Sequence, residues 1–254
     1  MQYRILLSLM LLFFCLNGSA QKMDDTVTTM TTEKKVPRKF HIRSTARLHD
    51  KGMFAYGGRI CTDNPAFDIN FVYDRKAWGF LIFKAVDLVD QQSPNNFTLA
   101  VLYKNFKLTK QLSFTPHVGA FLEQQHKFAG HGSDVALIGV TAFKFNPHFT
   151  IDHTMLLGNF IVERELRDWV NRFRFLFTSK HLDITAFVWH NNHVFDSGDY
   201  GSAAITIGYN RIKVSENFNI NFSVTDMVMA RSSNEDSVPE GNKVMFTTAI
   251  QFVK

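Results

Sequence analysis

The segment Phe218-Asn219-Ile220-Asn221-Phe222-Ser223-Val224-Thr225 alternates apolar and polar residues at every step. Successive side chains of a strand point to opposite faces, so this octet predicts a strand with one apolar and one polar surface. The same reading sets Phe67, Ile69, Phe71 and Tyr73 against Asp68, Asn70, Val72 and Asp74. It sets Phe97, Leu99, Val101 and Tyr103 against Thr98, Ala100, Leu102 and Lys104. Phe173, Phe175 and Phe177 oppose Arg172 and Arg174; Ala203, Ile205, Ile207 and Tyr209 oppose Thr206 and Asn210. Val244, Phe246, Ile250 and Phe252 form the apolar face of the last such segment. Residues 78–88 and 134–145 are apolar on both faces in places, and 181–190 carries Phe187, Trp189 and Asp183 on one face. Strands are predicted near 53–60, 67–74, 77–88, 97–104, 111–122, 134–145, 148–157, 169–178, 181–190, 201–213, 218–229 and 242–253, twelve in all.

The connections sharpen the picture. Long polar loops near 61–66, 89–96, 123–133, 158–168, 191–200 and 230–241 alternate with tight turns near 75–76, 105–110, 146–147, 179–180 and 214–217. A soluble sandwich shares the two-residue period, but has no reason to keep its loops long at one end only. A barrel inserted in an outer membrane from one side does, because periplasmic turns are short and outside loops long. An even strand count places both ends of the barrel on the tight-turn side. Residues 40–48 also alternate, Phe40, Ile42, Ala46 and Leu48 against His41, Arg43, Thr45 and Arg47. That segment is expected to be an extra N-terminal strand or periplasmic lead-in (40–52) outside the barrel proper (53–254), or the start of a long first strand.

The N-terminus reads as an export signal. Arg4 precedes the apolar run Ile5–Leu16, and Gly18-Ser19-Ala20 supplies small residues before a cut after residue 20. The run is shorter than the roughly 20 residues a membrane-spanning helix needs. Phe14 ahead of Cys15 argues against a lipoprotein signal. Residues 21–39 read as a flexible segment rich in Thr, Lys and Met. Removal of the signal leaves Cys61 as the single thiol, so no intrachain disulfide scaffold is possible. The formal net charge of +5, without dense Lys/Arg clusters, argues against nucleic-acid binding. The 26 Phe residues in a chain of near-neutral mean hydropathy suit strands with one apolar and one wet face.

Tyr73, Trp78, Tyr103, Trp169, Trp189 and Tyr200 lie near strand ends and are expected to form aromatic girdles at the two membrane interfaces. With the strand pattern, these features resemble the Gram-negative, Bacteroidetes-like outer-membrane β-barrel class of porin type. The resemblance implies an all-β antiparallel barrel whose partners are outer-membrane lipid, the barrel-insertion machinery and small solutes. Members of the class usually finish on an aromatic residue, whereas Phe252 is followed here by Val253 and Lys254.

By parity the lumen is expected to be lined by Asp68, Asn70, Asp74, Lys104, Asp134, Lys144, Asp152, Arg172, Arg174 and Asp183. Arg172 and Arg174 favour anions; Asp68 and Asp74 argue the other way. A narrow pore or passive uptake channel is the leading reading. A non-conducting structural or interaction barrel is the first alternative, since lumen charges need only partners or water. A lipid hydrolase is the second, with His153 on an apolar register as its weak catalytic candidate. His153 lacks a nearby His-x-Ser pairing, however: two residues on stands Met155. His190, His193 and Asp196 are a weak metal set, as is the sprinkling Glu123, His126, His131 and Asp134; solvated loops explain both. No phosphate loop or nucleophile elbow occurs, and no cofactor is expected.

Overall fold

The computed structural model describes residues 40–52, 60, 62–90, 96–121, 135–158, 169–192, 199–233 and 241–254. The predicted export signal and lead-in (1–39), and all but Ile60 of the strand predicted over 53–60, lie outside the described residues.

The strands are β1 His41–His49, β2 Ala66–Arg75, β3 Trp78–Asp87, β4 Phe97–Lys104, β5 Phe106–Lys107, β6 Leu112–Phe121, β7 Val135–Lys144, β8 Phe149–Leu157, β9 Trp169–Thr178, β10 Leu182–Asn192, β11 Asp199–Lys213, β12 Phe218–Ser232 and β13 Gly241–Val253. β4 and the two-residue β5 flank Asn105 and both pair with β6, so they form one interrupted stave of a twelve-strand barrel. Neighbours in sequence are neighbours in the sheet, and β1 pairs with both β2 and β13. All pairings are antiparallel and the sheet has no free edge, as backbone in hydrocarbon requires.

Residues 41–49 are therefore the first stave of the barrel. The segment expected to stand outside it closes it instead. Seven of its residues pair directly with β13, from Arg43↔Val253 to His49↔Thr247. The connection from β1 to β2 accordingly spans 50–65, and the alternation of six long and five short connections survives with its first member redrawn. Ile60 from this loop is buried against Ala204, Met227 and Met245, and the Gly52 amide donates to the Thr62 carbonyl at 2.8 Å.

The barrel is apolar outside and polar inside. Phe246, Ile250, Phe222 and Phe173 are about half exposed on the outer surface, while Asp68, Asp152 and Thr225 are buried. In an antiparallel pair, directly opposed residues share a face. Asp68↔Ala85, Ala85↔Phe97 and Gly79↔Tyr103 therefore place Phe97, Leu99, Val101 and Tyr103 in the lumen. This reverses the faces expected for 97–104, so Thr98, Ala100, Leu102 and Lys104 point to lipid. The cause is local. Large aromatics of β4 oppose Gly79 and Ala85 of β3, and a Cβ at Gly79 would overlap the Tyr103 ring.

Candidate functional site: the barrel lumen

The tight turns and the even strand pattern aim one side chain in two at the lumen. Among the described residues five inward carboxylates emerge from β2, β3, β8 and β10, and each has a partner; that of Asp87 accepts from the Val89 and Asp90 amides at 2.9 Å. Asp68 accepts from Arg47 Nε and from His49 Nε2, both at 2.7 Å. Because a carboxylate only accepts, His49 Nε2 carries the proton, and its Nδ1 faces Thr247 Oγ1 at 2.8 Å. This network ties β1 to β2 and to β13. Asp152 accepts from Arg174 Nε and Nη2 at 2.8 and 2.5 Å. Arg172 beside it donates to Thr154 Oγ1 at 2.7 Å and lies 5.2 Å from the Trp189 ring centre. Asp183 accepts from Asn210 Nδ2 at 2.7 Å and from Arg211 Nη1 at 2.9 Å. Arg211 takes up φ 60 at a bulge in β11, so its guanidinium also donates to the Ser179 and Lys180 carbonyls. Asp74 accepts from the Tyr103 hydroxyl at 2.6 Å.

The lumen has two unlike halves. Toward the long loops it is filled: Trp189, Tyr200, Met229, Leu156 and Val170 form one buried cluster, and Ile60, Met227, Met245 and Ala204 another, with Phe187 touching both. Toward the tight turns a cavity of about 340 Å3 opens along β1, β2, β3 and β11 to β13. Its wall includes Arg43, Arg47, Asn70, Asn210, Asn221 and Gln251, and no carboxylate. Arg47 is compensated by Asp68; Arg43 forms no ion pair among the described residues. The cavity wall is thus rich in hydrogen-bond donors and carries an excess of positive charge.

Of the residues expected in the lumen, Asp68, Asn70, Asp74, Asp152, Arg172, Arg174 and Asp183 are there, and Lys144 ends β7 on the inward register. Lys104 is not: its ammonium stands outside the barrel, 5.1 Å from the Trp78 ring and 4.7 Å from that of Phe106. Asp134 lies outside the described residues. Of the expected girdle, Tyr73, Trp78 and Trp169 face outward, Tyr73 stacked on Phe40. Tyr103, Trp189 and Tyr200 are inside, because the lumen has room for large rings where β3 and β11 supply Gly79, Ser202 and Ala204. His153 faces outward, stacked 4.5 Å from Phe173, with Thr141 opposite on β7 and no serine beside it. His190 donates from Nε2 to Asp199 at 2.8 Å; His193, Asp196, Glu123, His126 and His131 lie outside the described residues. Among the described residues no three His, Cys, Asp or Glu side chains gather to hold a metal.

Arg43, Arg47 and His49 line the lumen although none of them is in the expected wall. Their alternation with Ile42, Ala46 and Leu48 was the available signal.

A closed twelve-strand antiparallel barrel with an apolar outer belt and a charged lumen is the architecture of a transmembrane β-barrel. Solved structures bear the same fold. A KdgM porin superposes with TM-score 0.54 at 10% identity, over 84% of this chain and 98% of that one. A KdgM porin in complex with disordered oligogalacturonate gives 0.53 at 10% identity with the same shares. A NanC porin gives 0.51 at 9% identity over 84% and 98%. No family model and no curated protein sequence matches the chain.

Proposed function

We propose that this barrel is a narrow, passive outer-membrane channel for small solutes, with a preference for anions. The observation that carries the proposal is the donor-rich cavity around Arg43, which makes no ion pair among the described residues, with no carboxylate among the residues that line it. An ion crossing a low-dielectric wall is favoured by fixed charge of opposite sign, and each lumen acid is already held by a partner. The oligogalacturonate named with the KdgM porin is a polyanion, and acidic sugars are accordingly the first solutes to test here. Export by the N-terminal signal and insertion by the barrel machinery belong to the same proposal.

The test is conductance of the purified protein in planar bilayers. Discrete steps are expected, with a reversal potential on the anion side in a salt gradient that moves toward cations in Arg43→Glu. A barrel that shows no steps would sink the channel and favour a structural role. That second reading rests on the apolar filling of the loop-side half by Ile60, Trp189, Tyr200 and the three methionines.

A further inference from the structure

The tight-turn rim carries a charge pattern that a channel does not need. Every tight turn contains or adjoins a lysine: Lys76, Lys107 with Lys110, Lys144, Lys180 and Lys213. All of these are exposed, and the one exposed acid in the turns is Glu216. The long loops have the opposite balance in sequence, with Glu163, Glu165, Asp168, Glu235, Asp236 and Glu240 among their residues. The tight-turn rim is therefore basic.

One lysine of the rim is aimed at the membrane. Lys104 lies opposite Trp78 on the lipid-facing register, and its ammonium stands against the faces of Trp78 and Phe106. Both rings are exposed, Trp78 by 53%, and Leu108 beyond them by 59%. A cation over aromatic faces is attracted by the ring quadrupole and held in place there. Aromatic rings exposed at a strand end settle at headgroup depth, so the fixed ammonium lies at the level of lipid phosphates. Lys107 and Lys110 flank it in the adjoining turn.

We propose that Lys104, held by Trp78 and Phe106 and assisted by Lys107 and Lys110, is a binding site for the headgroup of an anionic phospholipid of the inner leaflet. An acidic periplasmic protein would meet the lysine tips of the turns. It would not reach an ammonium that faces sideways into the bilayer between two apolar rings. The site is independent of whether the lumen conducts.

The experiment uses the full chain reconstituted in vesicles, with Trp169→Phe to leave Trp78 as the outward tryptophan. Brominated phosphatidylglycerol is expected to quench Trp78 more strongly than brominated phosphatidylcholine. Each basic residue near an anionic surface contributes a factor of about five, so Lys104→Gln with Lys107→Gln and Lys110→Gln should lower the relative affinity for phosphatidylglycerol at least tenfold. High salt should weaken the preference in the unmutated site, and Glu216→Gln should leave it intact. Lys104→Arg should retain it, which guards against a folding defect in the triple variant. Equal quenching by the two lipids, or a preference unchanged in Lys110→Gln and in the triple variant, would overturn the proposal and leave the rim to an acidic protein partner.

Discussion

The two halves of the lumen are built from the same strands by opposite means. On the turn side, charges and amides of β1, β2, β12 and β13 stand around a cavity of about 340 Å3. On the loop side, Trp189, Tyr200 and the methionines of β12 and β13 fill the cross-section, and Ile60 is added from a loop. The first half is lined by polar side chains, with Arg47 tied to Asp68 in its own wall; the second is closed by burial of apolar surface. Polar side chains tied to their own wall leave space between walls, whereas apolar side chains gain by meeting across it. A barrel can thus set its width by side-chain chemistry at constant strand number.

Four substitutions test this contrast, in falling order of effect on stability. Trp189→Ala removes the largest ring of the filled half; a loss of about 3 kcal/mol is expected in urea unfolding, together with higher single-channel conductance. If conductance stays the same, the loop-side cluster is not the constriction. Asp68→Asn leaves Arg47 and His49 without their counter-charge and should cost about 2 kcal/mol, reduced from a fully buried pair because Arg47 is 34% exposed. The heat-modifiable shift on gels should then occur at lower temperature. Gly79→Ala forces the Tyr103 ring away and should lose its hydrogen bond to Asp74, about 1 kcal/mol, read by thermal unfolding. Arg43→Glu should alter stability by no more than about 0.5 kcal/mol, yet reverse the ion preference of the open half.

The strand count and the sidedness of the loops were legible because they depend on local pattern alone. Phe218–Thr225 alternates without exception and Phe67–Asp74 with Val72 as its one apolar residue on the polar face, and the pairing places both segments' faces as their period predicts. The errors arose where faces depend on distant partners. Residues 97–104 carry apolar side chains at Phe97, Leu99 and Val101 and also at Leu102, so parity alone could not choose the lipid side; pairing with Gly79 and Ala85 chose it. Trp189 and Tyr200 were read as interfacial because tryptophan and tyrosine favour membrane rims. The lumen competed for the same rings and won where Arg172 offered a cation to the face of Trp189. Segment 40–48 looked surplus because an apolar stretch at 53–60 took its place in the count. The pairings with β2 and β13 place Ile42 and Leu48 on the membrane surface.

The seam between β1 and β13 has a kinetic consequence. The bond between His49 and Thr247 joins residues 198 positions apart, so the last pairing to become possible during synthesis is the one that completes the cylinder. Pairings of such separation form slowly, because loop-closure entropy must be met before any contact rewards it. Until then β1 and β13 are two naked edges, ready to join any strand that presents itself. A chain shortened by its first stave would keep ten of its hairpin contacts and still never become watertight. Such a chain would persist as an open, protease-sensitive intermediate.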